Sequence, residues 1–435
     1  MKINIPETEQ KRVVIIGGGF AGLAAARKLA KSNYQVVLLD KNNHHQFQPL
    51  FYQVAMAGLE PSSIAFPFRK LFRQHKNLFF RVTEVHSIEQ ENRRVITALG
   101  ECNYDYLVIA IGADTNYYGN KEVEKHALPM KSVGEALGLR NAILSDYEAA
   151  LSITDFDERQ GYIDIVIVGG GPTGVELAGA LAEMKKHIIP KDYPELNAEE
   201  MDVHLIQGAD QLLAGMSEES SQKALAYLQD MGVQVRLNTR VQNYDGEFAY
   251  LSDGEKIRSN KVIWAAGIHG NHIPGLPEAA QTYGRRLAVD RFNRVQGTEN
   301  VFAIGDIAYM EEDAFPKGHP QVAQVAIQQG QNLAANLKRA TKQQEWQPFS
   351  YNDKGSMATV GRNRAVVDLP KFSFQGFAAW AVWLLVHLFA ILGTKNKVFV
   401  FLNWVWNYLT YDQSLRLIIK AKGKQTELKG SEVNT

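Results

Sequence analysis

Two glycine patterns, Gly17-x-Gly19-x-x-Gly22 and Gly169-x-Gly171-x-x-Gly174, carry the first chemical signal in the chain. In such a turn the first glycine makes the bend and the second lets backbone approach a pyrophosphate. The third lets the following helix pack on its strand. The helix start then offers free N–H groups and partial positive charge to the phosphates. Asp40 follows the first pattern where a ribose diol needs an acceptor, and Gln207 holds the matching place after the second. A second carboxylate, Asp306, sits in Gly305-Asp306 far along the chain. A flavin dinucleotide needs contacts for its ribityl chain that a nicotinamide dinucleotide does not. That places FAD on the first fold together with Asp306, and the nicotinamide nucleotide on the second. A carboxylate at the Gln207 position would bind the 2′-hydroxyl and repel a 2′-phosphate; a neutral amide does neither strongly. No arginine stands among Gly208, Ala209 and Asp210 to hold a phosphate. The expectation is that NADH works, with weakened discrimination against NADPH.

Both patterns have the elements needed to position them. Each follows an apolar run, Arg12–Ile16 or Asp164–Val168, and opens an amphipathic stretch, Ala21–Lys31 or Val175–Lys186. This reads as buried strand, tight turn and helix. Gln35–Asp40 and Val203–Gln207 supply the next strands, so each copy opens as a βαβ unit on a parallel sheet. Tyr106–Gly112 and Val262–Gly267 end each unit in a strand closed by glycine. The two copies lie about 150 residues apart, the spacing of two domains. Asn300–Asp306 is a late strand with no helix of the first kind after it, which suits a return of the chain to the first domain. The fold class is therefore α/β, two Rossmann-type dinucleotide-binding domains with the second inserted in the first. The expected boundaries are 1–120 and 285–371 for the FAD domain, 121–284 for the NAD(P)H domain and 372–435 for a C-terminal region. The expected cofactor contacts of the first fold are Gly17, Gly19, Phe20, Ala21, Gly22, Asp40 and Lys41. Ala110, Gly112, Gly305 and Asp306 close that set. Gly169, Gly171, Pro172, Thr173, Gly174, Gln207, Ala266 and Gly267 serve the second fold.

Bulk properties exclude several classes. Formal net charge is zero, so no global field draws in nucleic acid. The single cysteine, Cys102, excludes a disulfide framework, a Cys-only metal site and the redox-active cysteine pair of a disulfide reductase. It also argues against a sulfide:quinone reductase, which needs more than one. No metal site is expected. Met1–Gln10 is short and polar, with neither a secretory apolar core nor an Arg-rich transit character, so a reducing, cytosol-like compartment is expected.

With these motifs in place, the chain resembles the type II NADH:quinone oxidoreductases, which pump no protons. The likeness spans nearly the whole length. It rests on Val13–Gly22, on Phe47-Gln48-Pro49-Leu50-Phe51-Tyr52-Gln53-Val54-Ala55, and on Val168–Glu176. Trp264-Ala265-Ala266-Gly267 and Ala323–Gly330 complete it. The resemblance implies a non-covalent FAD, and two electrons passing from NADH through FAD to a membrane quinone. It implies that Glu176 lies near the nicotinamide and flavin rings, and that Phe47, Pro49, Tyr52 and Gln53 line the flavin. Ala323, Gln324 and Gln328 would line the quinone site; Gln324 and Gln328 share one helix face by their spacing. Two departures stand out. Gln207 replaces the usual acidic residue, and Gln375, not lysine, precedes Gly376. Two other readings stay open: a soluble NAD(P)H reductase of an iron–sulfur carrier, and a slow redox-sensing flavoprotein. A second copy of the chain, as a homodimer, stays open too.

From Phe372 onward the composition turns apolar. Gly376–Gly393 carries no charge unless His387 is protonated. As a helix it would be roughly 27 Å long at ~1.5 Å per residue, short of the ~30 Å hydrocarbon core. Thr394–Lys397 interrupts it, and Val398–Tyr411 is again apolar. Trp380, Trp383, Trp404, Trp406, Tyr408 and Tyr411 crowd this region as aromatic belts do at a bilayer interface. The expectation is a pair of amphipathic helices lying in one leaflet, a monotopic anchor on the cytoplasmic face of a bacterial-type inner membrane. The polar, basic tail past Lys420 is expected to fray.

Overall fold

A computed structural model describes residues 2–413 and 415–419; the basic tail read past Lys420 lies outside them. The chain opens with β1 (Arg12–Ile16), α1 (Phe20–Leu29) and β2 (Gln35–Asp40), followed by the short helix α2 (Phe51–Ala55). Two strands, β3 (Leu78–Val82) and β4 (Tyr106–Ile109), come next. The second unit contains β5 (Ile165–Val168), α3 (Pro172–His187), β6 (Val203–Ile206), β7 (Gln234–Arg236) and β8 (Val262–Trp264). The last strand of this kind is β9 (Val301–Ala303), and α4 (Ala323–Ala340) follows it.

These elements form two parallel sheets. The first has the order β9-β4-β1-β2-β3 and the second β7-β6-β5-β8. Their central strands are buried on both faces, which explains the unbroken apolar runs of β1 and β5. In both sheets the strand carrying the glycine turn sits where the strand order reverses, so a crevice opens at its carboxyl end. β9 reaches the first sheet after the whole second unit has been traversed, pairing Val301–Ala303 with Leu107–Ile109.

Glycine sets how closely the layers approach. Gly17 has φ +97° and Gly169 φ +111°, a region closed to most side chains. A Cβ on Gly22 would stand 1.9 Å from the Gly17 carbonyl oxygen, and one on Gly174 the same distance from that of Gly169. On the far side of α1, a Cβ on Gly330 of α4 would stand 2.3 Å from the Ala21 carbonyl. Helix α1 is thus gripped between its own turn and α4.

An antiparallel sheet of β10 (Ser356–Thr359), β11 (Ala365–Leu369) and β12 (Phe372–Gln375) straddles the boundary expected at 371/372. Two helices follow, α5 (Phe377–Ala390) and α6 (Thr394–Thr410). The polar segment Thr394–Lys397, read as a break between helices, instead forms the first turn of α6. Both helices are half inside the protein. Trp383 of α5, Ile391 and Val400 of α6 join the core that holds Tyr52, Val175 and Leu181. Among the described residues no helix is long and apolar enough to cross a membrane.

Replacing Gly22 by Ala should force α1 off its strand. The expected cost is ~1–3 kcal/mol or more, as for overpacked cores, read as a lowered midpoint of thermal unfolding. An unchanged midpoint would show that the turn relaxes freely.

Candidate two-nucleotide site and its covering helices

The two turns are built alike down to their hydrogen bonds. Gly18 N–H donates to the Asp40 carboxylate at 2.6 Å, and Gly170 N–H donates to the Gln207 amide oxygen at 2.9 Å. Asp40 also accepts from Asn42 N–H at 2.6 Å. Gln207 gives its NH₂ to the Gln211 carbonyl at 3.0 Å. A Cβ on Gly17 would meet the Ala110 carbonyl at 2.3 Å, and one on Gly169 that of Ala265 at 2.5 Å. Gly19 and Gly171, by contrast, face open space, with nothing within 4 Å of an added Cβ. Neither helix start is capped by a side chain. The first-turn N–H groups of α1 and α3 therefore point to the open side unused, which is what a pyrophosphate requires. Phe20 and Ala21 open α1, and Pro172 and Thr173 open α3 with Pro at the first position.

The outlying members of the cofactor set sit around these turns. Gly112 (φ +69°) follows β4, and Gly267 (φ +104°) follows β8. Ala110 is buried beneath Gly17, Ala266 is half-buried and Lys41 is exposed. Asp306 is largely buried, and burial raises its carboxyl above the usual range while Lys131 and Arg286 draw it back. Its side chain accepts no hydrogen bond among the described residues, leaving both oxygens for ribityl or ribose hydroxyls. Gly305 N–H donates to Gln329 Oε1 at 2.7 Å. Gln329, buried on α4, thus fixes the Gly305-Asp306 turn; sequence reading passed over it for its neighbours Gln324 and Gln328. The residues present fit a flavin dinucleotide on the first fold and a second dinucleotide on the other.

The other expected residues, apart from Gln328, which lines neither, divide between two cavities. A cleft of about 1270 Å³ is lined by Phe20, Phe47, Pro49, Pro172, Ala323 and Gln324, and on its outer side by Val382, Val386 and His387 of α5. A smaller cavity of about 140 Å³ holds Tyr52, Gln53 and Glu176 under Trp383 and Trp404. Gln53 links the two regions of the chain: its NH₂ donates to the Tyr52 hydroxyl at 2.9 Å, and its oxygen accepts from Trp404 Nε1 at 2.7 Å. The amides of Gln324 and Gln328 clamp the following segment. Gln324 donates to Gly355 O at 2.7 Å and accepts from Lys354 N at 3.1 Å. Gln328 exchanges both bonds with the Asn352 backbone at 2.9 and 3.0 Å.

Electrostatics separate these groups. Burial pushes the Glu176 carboxyl up to about 8 against weaker opposing donors, Thr359 N–H and the Trp383 indole, which faces it without completing a hydrogen bond. Glu176 is therefore protonated at neutral pH. His387 is driven down to about 4 by burial; its ring stacks on Trp383 at 3.9 Å and its Nδ1 pairs with Trp383 O at 2.7 Å. It is neutral at pH 7, so α5 carries no charge. Cys102 is buried in the first unit away from both cavities, its thiol raised to about 11 by desolvation.

Fold and site together define a two-dinucleotide oxidoreductase, with residues 11–330 matching the pyridine nucleotide-disulphide oxidoreductase family and 354–411 the NDH2 C-terminal domain. The chain is 36% identical over 418 residues to the type II NADH:quinone oxidoreductase Ndh of Mycobacterium tuberculosis, covering 92% of this chain and 88% of that protein. It is 27% identical to the mitochondrial internal alternative NAD(P)H-ubiquinone oxidoreductase A1 of Arabidopsis thaliana, over 93% of this chain and 85% of that one. The fold also matches the structure of NDH2 from Plasmodium falciparum in complex with NADH (TM-score 0.86, 21% identity, 95% and 100% coverage). The chain belongs to the type II NADH:quinone oxidoreductase family.

Glu176→Gln tests the buried acid. The folded state keeps the proton up to about pH 8, whereas an unfolded glutamate releases it near its ordinary 4.5. Glu176 therefore supports the fold fully below about pH 4.5 and progressively less as pH rises toward 8. The Gln variant should gain stability relative to wild type across that window and flatten the decline in unfolding temperature. Parallel curves for the two proteins would mean that Glu176 is ionised when folded.

Proposed function

We propose that this chain transfers two electrons from NADH, through a non-covalently held FAD, to a membrane quinone without pumping protons. The observation that carries this reading is a single cleft that touches both helix starts, Phe20 and Pro172, and the covering helix at Val386. A soluble hydride donor and an apolar acceptor then meet one redox centre from different sides. The flavin supplies the two-electron chemistry, and the protein supplies position and electrostatics. The open N–H groups at Gly19 and Gly171 hold the two pyrophosphates, Asp40 and Asp306 hold hydroxyls, and Phe47 and Pro49 pack beside the ring. Ala323 and Gln324 border the quinone end, and Gln328 keeps the Asn352 segment in place beside it. Glu176 stays neutral at pH 7 and presents an O–H, not a carboxylate, in the small cavity under Trp383.

The domain assignment goes with it: 1–120 and 285–371 hold FAD, 121–284 hold the nicotinamide nucleotide, and 372–435 attach the protein to one leaflet of a bacterial-type inner membrane from the cytoplasmic side. Support for the attachment comes from the outward faces of α5 and α6, where Leu385, Val386, Phe389, Phe399, Leu402 and Leu409 are exposed. So many exposed apolar side chains on two adjoining helices mark a binding face. The reading of a soluble reductase for an iron–sulfur carrier leaves that face without a use.

The whole reading is tested by purifying the chain in detergent and measuring its flavin spectrum and NADH-dependent reduction of a short-chain ubiquinone and a menaquinone analogue. Turnover should be on the order of ten per second or faster, typical of enzymes. A chain without flavin ends the proposal, and turnover near one per second or less turns it toward a redox sensor. Attachment is tested separately by Leu402→Glu with Leu409→Glu. Both positions face solvent, so folding and short-chain quinone reduction should persist. Co-flotation with phosphatidylcholine–phosphatidylglycerol vesicles should fall several-fold. Undiminished flotation would remove α6 from the anchor.

A further inference from the structure

One cation beside the second glycine turn, Arg240, has no side-chain partner among the described residues. The chain from 236 to 240 runs back alongside the exit of β6. Gln207 N–H donates to Arg236 O at 2.8 Å, Thr239 N–H to Gln207 O at 3.0 Å, and Asn238 N–H to Ala209 O at 2.9 Å. This pairing lays Arg240 across Gly208: a Cβ there would stand 3.1 Å from Arg240 Cγ and 3.3 Å from its Nε. Gly208 directly follows the side chain that meets the ribose hydroxyls in this fold. The neighbouring arginines are engaged elsewhere, Arg236 with Asp253 and Glu255 and Arg258 with Glu247. Arg240 is exposed and forms no ion pair among the described residues; only its backbone is bonded, to Ser252. Its charge is felt by Tyr118, whose hydroxyl crosses over Gly267 on the opposite lip of the same turn.

We propose that Arg240 binds the 2′-phosphate of NADPH and makes NADPH a second genuine electron donor. The inference rests on the NADH:quinone reading and extends it to the choice of nucleotide. Gln207 removes the repulsion a carboxylate would exert, but its own NH₂ is committed to Gln211 O. Attraction for a phosphate must therefore come from another residue, and a guanidinium one position away provides it with paired donors. The cation is invisible to a scan of the residues that directly follow Gln207, because it arrives on a different strand connection.

The test uses the full-length, detergent-solubilised holoenzyme with a short-chain ubiquinone as acceptor. The readout is kcat/KM for NADPH divided by kcat/KM for NADH. In Arg240→Gln this ratio should fall about 10- to 100-fold, the scale of a charge-assisted hydrogen bond. Arg240→Lys should keep much of it. A loss of local structure would lower both efficiencies and leave the ratio alone, which counts against the proposal. On the unmodified enzyme, 2′,5′-ADP should compete with NADH more tightly than 5′-ADP, with an advantage that shrinks as salt rises. Equal competition by the two, an unaltered ratio in Arg240→Gln, or rejection of NADPH by the wild type overturns the assignment. Failure with both nucleotides is a different result and falls on the NADH:quinone reading itself.

Discussion

Both nucleotide sites depend on one contact: the carbonyl oxygen of the first glycine pressed against the Cα of the third. With 1.9 Å between that oxygen and any added Cβ, Gly17 with Gly22 and Gly169 with Gly174 admit no side chain. The contact brings the helix start onto the strand end, and only then do the first-turn N–H groups converge on the space before Gly19 or Gly171. The same approach aligns Gly18 N–H with Asp40 and Gly170 N–H with Gln207. The placing of each helix start and of the acceptor beside it are consequences of one backbone approach made twice.

The C-terminal helices satisfy a conflicting pair of demands. They present apolar residues outward, yet they also close the inner cavity. Each is divided by its own periodicity: Trp383 and Val400 are in the core while Phe389 and Leu402 are exposed. Polar anchors fix the boundary between the halves. Trp404 Nε1 bonds Gln53, Asn407 reaches the Gly58 carbonyl at 3.3 Å, and Arg362 stacks between Tyr408 and Tyr411 at 4.0 and 3.8 Å. The covering is therefore part of the fold. Removing it would expose the core around Tyr52 as well as any outward surface, which is why single outward residues are the cleaner probe of attachment.

What was legible in the sequence is what is local. Each glycine turn, its strand and its helix lie within a few residues of one another, so spacing alone reveals them, and the repeat of the pattern reveals the second fold. Asp40 and Gln207 are legible because they end the next strand of the same unit. Gln329 and Arg240 were missed because their roles come from pairing between distant segments: α4 against the Gly305 turn, and residues 236–240 against 207–209. His387 could not be read as neutral, since only stacking on Trp383 and burial decide its charge. The helix face shared by Gln324 and Gln328 was correctly inferred from their spacing. What each amide meets was not, because the partner is an irregular segment with no periodicity of its own.

That last point bears on how the wall of the cleft at Gln324 is held. The amides of Gln324 and Gln328 each use both oxygen and nitrogen on the backbone of 352–355. A side chain so committed positions the wall; any hydrogen bond it gives to an acceptor must use the second N–H or the remaining lone pair. Gln329, one residue further on, faces the other way and fixes Gly305, beside the carboxylate of Asp306. Three amides within six residues thus tie one helix to the 352–355 segment on one side and to the Gly305 turn on the other. Helix α4 joins the Gly305 turn to the 352–355 segment, and it is held to α1 by the close approach at Gly330. The placement of α4 therefore rests on the same kind of constraint as the two glycine turns: backbone brought against backbone where only glycine fits.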